Sequence, residues 1–201
     1  MSESKIDQYR QIHASEKYGD TSIKNLRYLR PQVRALKPKT ILDFGCGQSK
    51  LLDLLCESVG ASGTRYDPAI PDFSEAPTGT HDLLTNIDVL EHVPEDQLDE
   101  LIGQMASLCR NAIIVIDTTE AEKTLPNGEN AHCTVRPHHW WQKTLSKYFD
   151  HVEPIRVTRK SRAAFRTWKL NNSDAGQLKR MILRERIRHN LRRLVGIKGH
   201  S

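Results

Sequence analysis

Thr40-Ile41-Leu42-Asp43-Phe44-Gly45-Cys46-Gly47-Gln48-Ser49 is an apolar segment that ends on an acid and runs into two glycines at alternate positions. The stretch behind it, Lys50-Leu51-Leu52-Asp53-Leu54-Leu55, has a helical apolar pattern. That order reads as strand, tight loop and helix, with a backbone that must turn sharply and pass close to a ligand. A dinucleotide fingerprint would carry G-x-G-x-x-G and seat a pyrophosphate on the helix N-terminus. Here the acid precedes the glycines, so the expected ligand bears a positive charge at this point and no phosphate.

Working outward, Tyr66-Asp67-Pro68 should end a second strand, with Asp67 placed 20 residues beyond Gly47. Between Ala69 and Thr80, Pro71, Pro77 and Gly79 argue against a regular helix. His81–Ile87 reads as a buried strand that leads into Asp88-Val89-Leu90-Glu91-His92-Val93. Pro94, Glu95 and Asp96 suit a helix start, and Leu98, Leu101, Ile102, Met105 and Leu108 give that helix its apolar face. Ala112–Asp117 is almost wholly apolar, as a parallel strand covered on both faces should be.

The remaining pattern is assigned in the same way. Residues 5–18 look helical, and Ile23, Leu26, Leu29, Val33 and Leu36 space out a second helix before Pro38. The helix after the glycines should stop at Gly60. A loop from Thr118 to Arg136 is long enough to be functional. Pro137 should open a helix through Phe149, and residues 152–159 and 162–170 should close a hairpin around Lys160-Ser161. The expected fold is α/β: a Rossmann-like open sheet, mostly parallel, with helices on both faces and a C-terminal antiparallel hairpin. The organisation expected is an N-terminal helical cap (1–37), a ligand-binding domain (38–170) and a basic C-terminal helix (171–201).

The 201 residues can bury a sizeable core. No apolar run approaches the ~20 residues that span a bilayer, and the polar N-terminus has no signal-peptide core. Cys46, Cys56, Cys109 and Cys133 form no CxxC pair, which suits free thiols in a reducing cytoplasm. The net charge of +5 conceals a division. Residues 1–155 hold 16 Lys/Arg against 23 Asp/Glu, a balance of −7, whereas residues 156–201 hold 14 against 2, a balance of +12.

The glycine loop, with Asp67 and the Leu90-Glu91-His92 segment, resembles class I S-adenosylmethionine (SAM) dependent methyltransferases over residues 38–170. The resemblance implies that Asp43 lies near the amino end of SAM and that Gly45, Cys46 and Gly47 pass beside it. Asp67 would accept both ribose hydroxyls, with Pro68 following. Asp88 and Val89 would complete the cofactor wall. Asp72, in an abbreviated segment, would be a shortened counterpart of the residue that contacts adenine, with the family's third strand lost or rudimentary. The strings Leu125-Pro126-Asn127-Gly128-Glu129-Asn130-Ala131-His132 and Pro137-His138-His139-Trp140-Trp141 resemble a bacterial and phage subfamily of methyltransferase-like proteins.

Two roles compete for Glu91-His92: cofactor-loop geometry, or metal-assisted chemistry. Asp88, Glu91 and His92 match the ligand spacing of ubiquinone-pathway O-methyltransferases and small-RNA 2′-O-methyltransferases, with His132 completing a Mg²⁺ or Mn²⁺ set. Without metal, His92 or His132 is the expected general base. One of the two tryptophans should be core and the other exposed to substrate.

The tail reads as a helix capped by Ser173 or Asp174 and running to Val195. Leu183, Ile187, Leu191 and Leu194 share a face, beside Arg180, Arg184, Arg188 and Arg192. It suits an anionic membrane surface, RNA, or docking on the acidic body. The expected activity is methyl transfer to a hydroxyl of a saccharide or other small polar acceptor, less readily to an amine. Metal-assisted RNA 2′-O-methylation and a non-catalytic SAM-binding protein are the alternatives. A cytoplasmic location, with a peripheral association at the inner membrane surface, follows from the tail.

Overall fold

The computed structural model describes residues 5–15, 21–122, 124–157 and 159–194. Its strands are β1 (Thr40–Phe44), β2 (Ser62–Tyr66), β3 (Leu83–Ile87), β4 (Ala112–Asp117), β5 (Glu153–Pro154) and β6 (Arg162–Arg166). Its helices are α1 (Lys5–Ser15), α2 (Leu26–Leu36), α3 (Leu51–Val59), α4 (Glu95–Ser107), α5 (His138–Leu145) and α6 (Asn172–Leu194). The six strands form one sheet in the order β2-β1-β3-β4-β6-β5. The first four are parallel; β6 runs antiparallel to both β4 and β5. This is the expected Rossmann-like α/β sheet with a terminal hairpin.

The near-continuous apolar strands are explained by two buried layers. Leu42, Phe44, Leu84, Ile114 and Ile116 face a core with Leu98, Ile102 and Met105 of α4 and Trp141 and Leu145 of α5. Ile41, Leu83, Ile113 and Val115 face the other, with Leu29 and Val33 of α2 and Leu51 and Leu55 of α3. Alternate side chains along each strand thus serve opposite faces, and both are covered. Chain order reverses at β1, whose neighbours are β2 on one side and β3 on the other, and this opens a crevice at the carboxyl ends of the strands.

Several boundaries depart from expectation. No strand lies between Tyr66 and Leu83; a single 3₁₀ turn, Pro71–Phe73, occupies the stretch. The third strand is therefore missing and β2 is left as the sheet edge, with an exposed Ser62-Gly63-Thr64. Helix α5 stops at Leu145 rather than Phe149, because the chain tightens into i→i+3 turns at Lys147 and Tyr148. Leu101 is only partly buried on α4. The cap of α6 is neither Ser173 nor Asp174: the Asn171 side-chain oxygen accepts the Asp174 N–H, a better-placed N-cap one turn earlier. Residues 16–18 of the first expected helix, and Val195 and Gly196 at the end of the last, lie outside the described residues. No described helix is long and apolar enough to cross a membrane.

Candidate active site

One end of the crevice is built from strand ends. At Gly45 (φ +81) the chain turns, and its N–H and that of Cys46 both donate to the Tyr66 carbonyl, at 2.7 and 3.1 Å. A methyl group at Gly45 would stand 2.5 Å from Val89 Cγ2. Glycine is thus required here twice, for its φ and for the packing of Val89. Gly47 (φ +52) donates its N–H to Asp67 Oδ2 at 3.0 Å, and Ala69 N–H reaches Asp67 Oδ1 at 3.0 Å. Two backbone donors therefore orient the Asp67 carboxylate, and each oxygen keeps a lone pair for a hydroxyl. Ser49, in place of a third glycine, accepts from Leu51 N–H and from the Ser22 hydroxyl, fastening the start of α3.

Asp43 is 3 % exposed and accepts a hydrogen bond from Thr85 Oγ1 at 2.7 Å. Burial pushes its pKa up to about 6, against the Thr85 hydrogen bond and the Arg65 charge. A buried carboxylate short of counter-charge is suited to an incoming ammonium. The same burial, with Asp43 and Asp67 nearby, drives the Cys46 thiol up to about 12, so this cysteine is an inert wall residue.

The crevice continues into a cavity of about 680 Å³, and its far end is assembled from distant segments. Asp88 adopts a left-handed conformation (φ +59), and its carboxylate meets Arg162 of β6 at 3.0 Å. Arg162 also approaches Asp117 at 3.6 Å. Glu91 is fully buried, and its Oε1 accepts the Asp117 N–H at 3.0 Å. Burial and the neighbouring Asp88 raise its pKa well above the usual carboxyl range. Among the described residues, Glu91 Oε2 has no hydrogen-bond partner.

His92 Nδ1 stands 2.9 Å from the Ala131 carbonyl and 2.9 Å from the Tyr9 hydroxyl, which itself donates to Ala131 O. Burial lowers the His92 pKa to about 4. A carbonyl only accepts, so the Nδ1 of this neutral ring carries the proton and Nε2 keeps its lone pair. The His132 ring lies edge-on at 4.9 Å, with its own Nδ1 against the Thr119 carbonyl. The loop is held in place by Asn130, whose amide exchanges two hydrogen bonds with the Ala121 backbone while its oxygen accepts His132 N–H. Ligand atoms of Glu91, His92 and His132 lie within 4.8 Å of one another.

The structure thus brings Asp43, Gly45, Cys46, Gly47, Asp67, Pro68, Asp88, Val89, Glu91, His92 and His132 onto one cavity wall. Two placements differ from the sequence reading. Asp72 is exposed and stands outside that wall. Asp88 turns to Arg162 instead of joining the Glu91–His92–His132 group. Trp141 is wholly buried, and partly buried Trp140 lies under Arg136 away from the cavity, so neither faces substrate. Tyr9 and Arg162 carry no local sequence signal, since nothing marks a helical tyrosine or a strand arginine that reaches His92 or Asp88 over 80 or 70 residues away.

An open α/β sheet with a carboxylate at the end of β1, a glycine turn and a second carboxylate after β2 defines the SAM-dependent methyltransferase class. A family described as a methyltransferase domain matches residues 14–175, and the chain belongs to it. No curated protein matches the sequence significantly.

Solved structures share the fold at low identity. A 1,6-didemethyltoxoflavin-N1-methyltransferase of Burkholderia thailandensis has a TM-score of 0.58 and 14 % identity, over 82 % of this chain and 88 % of that one. An O-methyltransferase family protein of the same organism has a TM-score of 0.52 and 14 % identity, over 71 % and 56 %. A mitomycin 7-O-methyltransferase has a TM-score of 0.51 and 12 % identity, over 80 % and 52 %. This chain spans only about half the length of these two O-methyltransferases. The chain thus has the methyltransferase-domain fold, which both O- and N-methyltransferases share at low identity.

Proposed function

We propose that the chain transfers the methyl group of SAM to a hydroxyl of a small polar acceptor such as a saccharide, with His92 and His132 as the proton-accepting pair. The observation that carries this reading is the pair of imidazoles whose Nδ1 atoms face backbone carbonyls, leaving both Nε2 lone pairs for the cavity. SAM fits the other end: Asp43 would hold its ammonium and Asp67 its ribose hydroxyls. The sulfonium supplies an already activated methyl group. The protein's part is to align the acceptor oxygen behind that methyl carbon and take one proton. The oxygen–carbon bond forms as the carbon–sulfur bond breaks, the sulfur leaves as a neutral thioether, and the proton passes to Nε2.

The wall facing the acceptor favours a polyhydroxylated molecule. Gln97, Glu100 and Gln104 present one side of α4 to the cavity, beside Glu91 and Asp117. Such a surface offers many hydrogen bonds and repels a phosphate backbone. In this reading α1 caps the whole cavity, with Tyr9 on His92 at the acceptor end and His13 beside Gln48 and Asp67 at the other.

One observation favours a metal-assisted variant. Glu91 Oε2 is buried without a partner beside two imidazoles whose orientation is fixed by carbonyls. A Mg²⁺ or Mn²⁺ ion held by Glu91, His92 and His132 would lower the acceptor hydroxyl pKa.

The test is transfer of labelled methyl from SAM to cell extract fractionated into RNA, glycan, lipid and small molecules, with and without chelator. Label in glycan or small polar molecules, lost in His92→Ala and His132→Ala, supports the proposal. Label in RNA, abolished by chelator and restored by Mn²⁺, supports RNA 2′-O-methylation instead. Full SAM affinity with no label in any fraction points to a non-catalytic SAM-binding protein.

A further inference from the structure

Helix α6 has two faces of opposite kind, and only one is used. Asp174, Ala175, Leu178, Met181, Glu185 and His189 recur at three- and four-residue spacing on the buried or half-buried side. This side packs on α2, where the Glu185 carboxylate lies 3.5 Å from Arg30 and 3.8 Å from Arg34. The helix is therefore anchored to the body through its single buried acid and Leu178.

The apolar residues evident in the sequence point the other way. Leu183, Ile187 and Leu191 succeed one another at i, i+4 and i+8, and they are 55 %, 50 % and 56 % exposed. Ile182, at 38 %, sits at the seam between the two faces. All charged residues on the exposed part of the helix from 176 to 191 are cationic: Lys179, Arg180, Arg184, Arg186 and Arg188. They flank the apolar stripe on both sides: at about 100° per residue, Lys179 and Arg186 stand about 40° and 60° to one side of Leu183, and Arg184 stands about 60° to the other side of Ile187. The side chains of Arg192 and Leu194 lie outside the described residues.

We infer that this outward face of α6 seats the protein on an anionic phospholipid surface, with Leu183, Ile187 and Leu191 entering the interface and the arginines pairing with headgroup phosphates. Both chemistries are needed to explain the face. A nucleic acid would engage the arginines but leave the Leu-Ile-Leu stripe in water. A second copy of the chain would cover the stripe but set arginine against arginine, because the helix's own acid, Glu185, is committed to α2. A membrane surface takes the apolar stripe to shallow depth and neutralises the cations around it. The opposite face stays docked, so binding needs no unfolding of the tail.

Sedimentation of the full chain with lipid vesicles tests this directly. Partitioning onto phosphatidylcholine vesicles containing phosphatidylglycerol should exceed that onto phosphatidylcholine alone by roughly tenfold or more, and should fall with salt. The triple variant Leu183→Ser/Ile187→Ser/Leu191→Ser and the triple variant Arg180→Gln/Arg184→Gln/Arg186→Gln should each lose it; Arg188 is left in place because it bonds to Glu185 at 3.4 Å. Both should keep wild-type helicity and SAM affinity, because the exposed face touches neither core nor cavity. Equal sedimentation with both lipids, or none, overturns the proposal. A concentration-dependent dimer that the serine variant abolishes would give the stripe to a second copy and also overturn it. So would RNA retention lost only in the glutamine variant.

Discussion

The two ends of the cavity were built by different means. At the cofactor end, Asp43, Gly45 and Gly47 fall within five residues, and Asp67 joins them across one pair of parallel strands. At the acceptor end, Tyr9, Glu91, His92, Asp117, His132 and Arg162 come from five separate segments. The first end is a consequence of local backbone chemistry: strand ends deliver carboxylates, and glycines let the chain turn between them. The second exists only when α1, the 118–136 loop and β6 are folded onto the sheet. The cofactor end should therefore fail by loss of SAM affinity, and the acceptor end by loss of turnover with affinity intact.

The largest effect should come from Asp67→Ala. It removes two charge-assisted hydrogen bonds to ribose, worth about 1.5–3 kcal/mol each, so calorimetric SAM affinity should drop by roughly 100-fold or more. It also frees the Gly47 and Ala69 N–H groups, and the melting temperature should fall. Near-normal affinity would remove ribose recognition from Asp67.

Gly45→Ala should come next. The added methyl meets Val89 Cγ2 at 2.5 Å in a backbone conformation that L-residues avoid. A stability loss of about 1–3 kcal/mol is expected in chemical denaturation, and adding Val89→Ala should recover the steric part alone. Full recovery would mean that the left-handed turn itself costs nothing.

Asp43→Asn separates binding from stability. The wild-type carboxyl has a folded pKa of about 6 against an ordinary 3.8. Between these values the folded chain holds a proton that the unfolded chain has released, so ligand-free stability should fall as pH rises from about 4 to about 6. The amide variant should lose that slope and melt higher at neutral pH, while SAM affinity drops roughly tenfold for want of a partner to the ammonium. SAM affinity of the wild type should weaken below about pH 6, as Asp43 takes up its proton. A wild-type slope retained in the variant would assign the titration to another group.

Tyr9→Phe should be the mildest. It removes one hydroxyl that touches His92 Nδ1 and Ala131 O, an interaction worth about 1 kcal/mol. Methyl transfer should slow about fivefold with SAM affinity unchanged. Weakened SAM binding would instead show that the Tyr9 contact holds α1, whose His13 carbonyl accepts from Gln48, over the cofactor end.

Legibility followed the same division. Strand, acid, glycines and helix were plain because they obey short-range rules: period-two burial, left-handed turns at glycine, a stop at Gly60. Asp72 read as an adenine contact from its position before β3, yet with the third strand missing it stands on the surface of a 3₁₀ turn. Asp88 read as a metal ligand from its three-residue spacing to Glu91. Spacing does not fix rotamer, and Arg162, brought in by β6 from the end of the chain, captures its carboxylate. The Trp140-Trp141 pair carries no mark to show which ring is core; packing of α5 on β6 buries Trp141 in the cluster that holds Phe165.

By itself, the sequence determined the α/β sheet, the glycine turn and the position of the carboxylates Asp43 and Asp67, because each depends on residues close in the chain or one strand apart. Tertiary structure decided the rest. It oriented the His92 and His132 rings against carbonyls of a folded-over loop, and brought Arg162 to Asp88 through an antiparallel strand. It also chose the face of α6: the Glu185 side docks on Arg30 and Arg34, so the Leu183–Ile187–Leu191 stripe is turned outward among its arginines.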